Sequence, residues 1–445
     1  MGTLSIDEIT SAIDGKTTSN PHNRIDEILC DSRKINQNSE KNILFFALKG
    51  ERFDGHQFVS ESFDKGAKLA VVEYKPTNIN NEDRLIYVDN TSTALGKLAK
   101  YYKSFFNIPV VGITGSVGKT ITKEFIANVL SQKYNVLKSK GNFNTLVGLS
   151  LTIFEMNEYH DIAILELGTN HFGEIKNLTQ ICQPSIAFII CIGESHLEFL
   201  QDIDGVFQEK FDIFKFSHPD TLKIFNGNII FLEKYKGNKN YISYGENVNN
   251  DFVLSSMSIE NSRYSFRLNN EKYIIYDDVK HNIFNAIPAI ILGKRYGLVN
   301  NEIQQGLLIK PDVNLRMEML RNIKNNWYII ADCYNANPVS MHSALDYLNN
   351  LSSPNKFAIL GDMLELGTKS IEFHKEIVSH IKQFKLNKVI SIGELSNYYN
   401  GDVHYNSATE FLQDYDKYSF PHNSVILIKG SRALKLEKIV QRMVG

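Results

Sequence analysis

The stretch Gly112-Ile113-Thr114-Gly115-Ser116-Val117-Gly118-Lys119-Thr120 decides how the rest of the chain is read. It follows the apolar run Ile108-Pro109-Val110-Val111 and opens a helical stretch from Thr120 to Gln132. A strand, a glycine turn and a helix in that order aim several backbone N–H groups and the helix's positive end at one anionic site. Lys119 is then placed to reach the β- and γ-phosphates of a nucleotide, and the Thr120 hydroxyl to ligate Mg²⁺. Counted from Gly112, the run is one residue longer than GxxxxGKT. Gly-Lys-Thr in this setting still points to nucleotide binding, rather than to a chance glycine-rich turn, through Gly115, Ser116, Val117, Gly118, Lys119 and Thr120.

Working outward, DIAILEL (161–167) and IAFIICI (186–192) are apolar runs without alternation, as expected of a parallel sheet covered on both faces. After Pro219 the strands become shorter and alternating, as in SRYSFRL (262–268) and EKYIIYD (271–277), which predicts an antiparallel flap. From Pro311 onward WYIIAD (327–332), KFAILGD (356–362), KVISIG (388–393) and SVILIKG (424–430) alternate with helical stretches, the sign of a second parallel sheet. Before the glycine turn, Ser5 and Glu8 form a capping box. ILFFAL (43–48) and KLAVVEY (68–74) read as strands, and a helix is predicted over 91–106. The Asn-rich stretches 78–81 and 247–250 read as turns. The 445 residues divide, at about 150 residues per domain, into 1–100, 101–310 and 311–445. The fold class is α/β with three domains.

Composition narrows the function. Lys plus Arg number 48 against 50 Asp plus Glu, a formal net charge of −2, so nothing argues for a nucleic-acid partner. Cys30, Cys182, Cys191 and Cys333 form no CxxC pair and are too sparse for a disulfide scaffold. No basic start with an apolar stretch is seen at the N-terminus, and the longest apolar run falls far short of the roughly 20 residues of a membrane helix. No membrane insertion and a cytosolic location are the expectation.

Candidate ligands gather at strand ends. Glu166 closes DIAILEL beside the phosphate loop, where a carboxylate can meet Mg²⁺, although a solvated strand-end Glu is the plainer alternative. His196 follows IAFIICIG in the same manner; alone it reads as a loop residue, and with Glu166 as half of a shared metal site. Lys210, in QEKFDIFKF, is on composition no different from any solvated lysine. Asp332, Asn335 and Asn337, then Asp362 and Glu365, then Lys429, Ser431 and Arg432 follow three strands of the third part, and suggest a second ligand surface.

Taken together, GITGSVGKTITK (112–123), Gly141-Asn142-Phe143-Asn144, ELGTNHFGEI (166–175), His196-Leu197-Glu198, His281-Asn282 with Asn285-Ala286, Arg316-Met317-Glu318, DCYNANP (332–338), GDMLELG (361–367) and Lys429-Gly430-Ser431-Arg432 resemble the Mur ligase superfamily over essentially the whole chain. That resemblance implies a small α/β UDP-binding domain, a central P-loop parallel-sheet ATPase domain and a C-terminal Rossmann-like α/β domain. It implies ATP and Mg²⁺, with Thr120 and Glu166 on the first ion and His196 on the second. It places the family's carbamylated lysine at Lys210, so that Lys119, His196 and Lys210 carry the catalysis. Asn282 would meet the adenine, while Arg316 and Asp332 would clasp the nucleotide. Ser32, Arg33, Lys49, Gly50, Asp54 and His56, together with Asn142, would hold the UDP-sugar. Leu315 stands where the family commonly has Gly. The implied partners are UDP-N-acetylmuramoyl-tripeptide and D-alanyl-D-alanine, joined through an acyl phosphate by a chain expected to be a monomer. The run 332–338 favours the dipeptide-adding branch over a sister ligase, the first domain's resemblance to a UDP-sugar binder argues against a folylpolyglutamate synthase-like enzyme, and the third α/β domain with its own polar strand ends argues against a P-loop hydrolase module.

Overall fold

Apart from Met1, Glu51, Arg52, Asn78, Ser262 and Asp278, every residue is described by the computed structural model. The Asn78 end of the first Asn-rich turn, the middle of the 49–56 loop and the Ser262 start of the alternating strand lie outside the described residues. At the N-terminus the capping box forms as expected. Ser5 N–H donates to Glu8 Oε2 at 2.8 Å and Glu8 N–H to Ser5 Oγ at 3.2 Å, opening the helix Ile6–Ile13. Four parallel strands follow, in the spatial order Glu27–Leu29, Ile43–Phe46, Ala67–Val72 and Leu85–Tyr87. The helix Thr91–Lys103 ends three residues before the predicted 106. It packs onto the central body: Gly96 leaves room for Ile181, and the buried Tyr102 hydroxyl donates to the Met156 carbonyl at 2.8 Å. One apolar core therefore runs from Ile9 through Leu98 to Leu165 and Phe225.

The central sheet has nine strands. Its heart is Val110–Thr114, flanked in parallel by Ile186–Ile189 on one side and Ile162–Glu166 on the other, with Val136–Lys138 beyond the latter. All residues of the three inner strands are buried, which explains their unbroken apolar composition. Beyond Ile186–Ile189 the sheet continues in parallel through Leu222–Asn226 and Tyr241–Gly245. It then turns into the predicted antiparallel flap, Phe252–Glu260, Arg263–Leu268 and Glu271–Ile274. The 247–250 stretch is a turn in which the Asn247 side chain accepts from Asn249 N–H at 3.0 Å.

The third sheet places Val425–Lys429 between Trp327–Asp332 and Lys356–Gly361, followed by Lys388–Ile392 and Val403–Tyr405, all parallel. Glu318–Asn322 adds an antiparallel edge that the sequence did not announce. The third body docks on the central one through the short helix Leu197–Leu200. Leu197, Leu200 and Val206 share an apolar cluster with Ile330, Met341, Leu360 and Leu366. On the connection between them, Leu315 (φ 57°) and Met317 (φ 52°) flank Arg316 in the left-handed region. Such a conformation costs an L-residue about 1–2 kcal/mol. Three hydrogen bonds hold it: Leu315 N–H to Glu318 Oε2 at 3.1 Å, Tyr334 N–H to the Leu315 carbonyl at 3.1 Å, and Met317 N–H to Asp332 Oδ1 at 3.2 Å.

Phe188 sits fully buried in the inner strand Ile186–Ile189. Phe188→Ala is expected to destabilise the protein by about 3–5 kcal/mol, the usual cost of an unfilled aromatic cavity. Urea-unfolding midpoints measure this, and a loss below about 1 kcal/mol would contradict the tight central layer.

Candidate active site

In parallel sheets, ligands gather beyond the carboxyl ends of the strands. Here three adjacent inner strands end in the loops bearing Gly115–Gly118, Leu167–Gly173 and Ile190–His196. The first is a tight wrap. A Cβ on Gly115 would lie 2.6 Å from Ile190 Cγ1, and Gly118 has φ 84° with Asn285 Oδ1 only 2.4 Å from where its Cβ would be. Side chains are excluded there so that backbone N–H groups can face a ligand. Gly118 caps the helix Lys119–Leu130, which begins one residue earlier than predicted.

Ser116 ties this wrap to the loop of His196. Its N–H donates to the Cys191 carbonyl at 2.9 Å, its hydroxyl donates to the Gly193 carbonyl at 2.7 Å, and that hydroxyl accepts from Gly193 N–H at 3.0 Å. Ser195 Oγ is 3.1 Å from Ser116 Oγ. Lys119 Nζ donates back to the Gly115 carbonyl at 2.7 Å. Burial lowers the pKa of Lys119 below the ordinary lysine value, Glu166 opposes the shift, and the positive charge of Arg316 adds to it. Arg316 is thus near enough for its charge to act on Lys119, while its guanidinium lies 3.9 Å over the Tyr334 ring.

Thr120 and Glu166 come together as expected, with the Thr120 hydroxyl donating to Glu166 Oε2 at 3.0 Å. The other carboxylate oxygen accepts from Asn144 Nδ2 at 2.9 Å, and Glu166 is 1% exposed. A hydroxyl and a carboxylate form the hard oxygen set that Mg²⁺ takes, completed by water and phosphate, so these residues fit that ion. Among the described residues no group of three His, Cys, Asp or Glu side chains is arranged to hold a metal by itself.

His196 and Lys210 are a different case. His196 (φ 54°) has its Nδ1 2.6 Å from Glu365 Oε2 of the third body, a close polar contact whose angle is not that of a hydrogen bond. This contact holds the Glu365 carboxyl below its usual range, against the effect of partial burial. Lys210, on the helix Ile203–Lys215, is 1% exposed and makes no hydrogen bond or ion pair with any described residue. Burial first, and then the charge of Lys119, push its pKa down to about 7. As an ammonium it repels cations; as a free amine it can be converted to a carbamate, and only then does it suit a metal. Its neighbour Glu209 does other work, accepting from Gly173 N–H at 2.6 Å and Ile175 N–H at 2.7 Å and so fixing the loop after Glu166.

The nucleotide-clasp candidates are already engaged. Asn282 Nδ2 donates to Asp277 Oδ2 at 2.8 Å and its side-chain Oδ1 accepts from Asn285 Nδ2 at 3.0 Å, at the start of the helix His281–Arg295. Asp332 Oδ2 accepts from the buried Lys429 Nζ at 2.6 Å. Burial pushes the His281 ring down to about 4, opposed by the nearby Asp332 carboxylate, so the third-body pair lies close to the start of that helix. In the first body, the loops bearing Ser32–Arg33 and Lys49–His56 follow neighbouring parallel strands and share one edge. Arg33 is clasped by Asp31, with Nε and Nη2 donating at 2.9 and 2.8 Å. Ser32 is buried, with Lys65 Nζ donating to its carbonyl at 3.4 Å. His56 Nδ1 meets Asp54 at 2.6 Å, its Nε2 accepts from Glu73 N–H at 2.8 Å, and Tyr74 stacks on its ring while also bonding Asp54. Lys49, Gly50 and Asn142 are exposed.

This arrangement, a phosphate wrap with a buried lysine and three converging loops, has full-length counterparts. Residues 24–103 match the Mur ligase family catalytic domain, 113–293 the Mur ligase middle domain and 315–432 the Mur ligase glutamate ligase domain. The chain belongs to the Mur ligase family. A Mur ligase of Bacillus subtilis, UDP-N-acetylmuramoyl-tripeptide–D-alanyl-D-alanine ligase, is 35% identical over 430 residues, covering 94% of this chain and 93% of that protein. The crystal structure of MurF from Acinetobacter baumannii superposes with a TM-score of 0.89 at 27% identity, covering 100% of this chain and 99% of that one. The structure of the MurF ligase from Thermotoga maritima in complex with ADP reaches 0.82 at 26% identity, covering 94% and 96%. As in other Mur ligases, the fold is α/β with three domains, and the chain is an ATP-dependent peptide ligase that uses Mg²⁺.

Lys210 yields a test by pH. Its folded pKa of about 7 lies below its ordinary 10.5, so unfolding takes up a proton between those values and stability rises with pH across that window. Lys210→Met removes the penalty. In CO₂-free buffer the variant is expected to exceed wild type in stability most below about pH 7 and to lose that advantage towards about pH 10. Urea midpoints across that range measure it, and a pH-independent difference would contradict a buried, unpaired amine.

Proposed function

We propose that this chain joins D-alanyl-D-alanine to UDP-N-acetylmuramoyl-tripeptide, at the expense of ATP and through an acyl phosphate, in cytoplasmic peptidoglycan precursor synthesis. The observation that carries the reading is the phosphate wrap that holds Lys119 beside the Thr120–Glu166 pair, in a chain that covers relatives of that name almost end to end. No helix among the described residues is long and apolar enough to cross a membrane.

On this reading residues 1–100 hold the UDP-sugar, 101–310 the nucleotide, and 311–445 bring the incoming amine. Arg33, Lys49 and Gly50 meet the UDP moiety, with Ser32 shaping the turn behind them. Asp54 and His56, bonded to each other, brace that loop, and Asn142 faces the sugar from the central domain. Gly115, Ser116, Val117 and Gly118 wrap the phosphates with backbone N–H groups. Lys119 leaves the Gly115 carbonyl and neutralises charge on the transferred phosphoryl group. Asn282 supports the adenine end, and Arg316 and Asp332 close on the nucleotide from the third domain. Thr120 and Glu166 would hold one Mg²⁺, and His196 with a carbamylated Lys210 a second. These ions, when bound, neutralise phosphate charge and align the phosphates for in-line displacement.

The chemistry follows from the substrates. A free carboxylate is a poor electrophile, so it first takes the terminal phosphoryl group and becomes an acyl phosphate, and the amine then displaces phosphate. Bringing amine and acyl group together supplies effective concentration, and excluding water protects the activated acid. Lys210 reaches its working form by a balanced step: the free amine attacks CO₂, an N–C bond forms, and a proton leaves. The chain acts as a monomer on this reading.

The test is ADP release against a panel of UDP-muramoyl peptides crossed with candidate amines. Turnover is expected only with a tripeptide and D-alanyl-D-alanine together. Lys119→Ala is expected to lower it by at least about a thousandfold while UDP-sugar binding persists. Equal turnover without the amine, or with a single amino acid in place of the dipeptide, overturns the reading.

A further inference from the structure

Glu365 enters the central site from another domain. It lies in the loop after the third-domain strand Lys356–Gly361, and its Oε2 is 2.6 Å from His196 Nδ1. That nitrogen is buried and has no hydrogen-bond partner of proper angle, while His196 Nε2 makes no hydrogen bond with any described residue. The approach is made by the backbone as well. Glu198 N–H donates to the Glu365 carbonyl at 3.1 Å, and a Cβ on Gly367 would come within 3.0 Å of Glu198 Cα. His196 (φ 54°) and Glu365 (φ 65°) are both left-handed, a conformation that persists in such residues only where the surroundings impose it. Those surroundings come from both domains: Ser195 is tied to Ser116 of the phosphate wrap, and Leu197 and Leu200 are sunk in the third-domain core.

A histidine that binds a metal through one ring nitrogen usually has the other held by a carboxylate or carbonyl, which sets tautomer and ring direction. We propose that Glu365 is the positioning residue of His196, holding Nδ1 so that Nε2 faces the second cation. Because Glu365 belongs to the third domain, that cation site is complete only when the third domain is docked. The inference rests on the reading that His196 ligates a cation. It adds that docking of the domain that delivers the amine and assembly of the phosphate-activating site are one event. The central domain alone would bind nucleotide and one ion, and the second ion would wait for closure.

The probe is Mn²⁺, titrated into the full chain with saturating ADP and bicarbonate, with free ion followed by electron paramagnetic resonance. Wild type is expected to bind two ions. Glu365→Ala and Glu365→Gln are expected to weaken one of them by about 10- to 100-fold, the usual effect of removing a ligand's carboxylate support. The other ion and the ADP affinity stay unchanged, and Glu365→Asp recovers part of the loss. Leu200→Ala, which touches no ligand and loosens docking, is expected to weaken the same ion; small-angle scattering reports the accompanying opening. Two ions of unchanged affinity in both Glu365→Ala and Glu365→Gln overturn the positioning role while leaving His196 as a ligand. Two ions of unchanged affinity in His196→Ala, or a single ion in wild type, overturn the ligand reading itself and this inference with it.

Discussion

Buried positive charge only partly matched by negative charge is the constraint around which this site is organised. The charge of Arg316 acts on Lys119 and that of Lys119 on Lys210, while Glu166 offsets part of the first effect and Glu209 part of the second. Lys210 has no bonded partner among the described residues, and its cost of burial is met by drifting towards the neutral amine. Such a cluster is unfavourable in the bare protein and favourable once a polyanion arrives. The preference for nucleotide phosphate is thus prepared before binding rather than built during it.

Holding cations in that state requires rigid walls, and the central sheet supplies them. The three inner strands are buried throughout, so their carboxyl ends are fixed points from which loops can be hung. The loops are then sewn to each other. Ser116 joins the phosphate wrap to the His196 segment, Asn144 joins the 141–145 turn to Glu166, and Glu209 fixes residues 173–175. Lys123 does the same beneath the wrap, its buried Nζ donating to the Ser139 carbonyl at 2.6 Å. Each tie satisfies a polar group that burial would otherwise penalise, so structure and site are stabilised by the same bonds.

Much of this was legible in the order of residues, because strand, glycine turn and helix leave a local signature. The phosphate wrap, the apolar central strands, the antiparallel flap after Pro219 and the parallel third sheet could all be read from short windows. Glu166 beside Thr120 could be read too, since strand ends face one way in a parallel sheet. Lys210 could not: its composition is that of a solvated lysine, and only the packing of the helix Ile203–Lys215 reveals its burial. Glu365 was visible merely as a polar residue after a strand, because its partner lies 169 positions away and in another domain. The Asp332–Lys429 pair, 97 positions apart within the third domain, was hidden by sequence distance alone, and the bracing of Asp54 by Tyr74 depends on how two strand ends meet. Local chemistry is written locally; burial and long-range pairing are not.

The connection between the central and third domains carries its own strain. Leu315 and Met317 hold left-handed conformations around Arg316, where a glycine would carry no such penalty. The strain is balanced by hydrogen bonds to Glu318, Tyr334 and Asp332, and Asp332 is in turn held by Lys429. Every one of those partners belongs to the third domain. The geometry that sets Arg316 over Tyr334, within charge reach of Lys119, is therefore stored in the third domain's own fold and not in the central site. The left-handed turns and their hydrogen bonds leave Arg316 little conformational freedom before any ligand is bound.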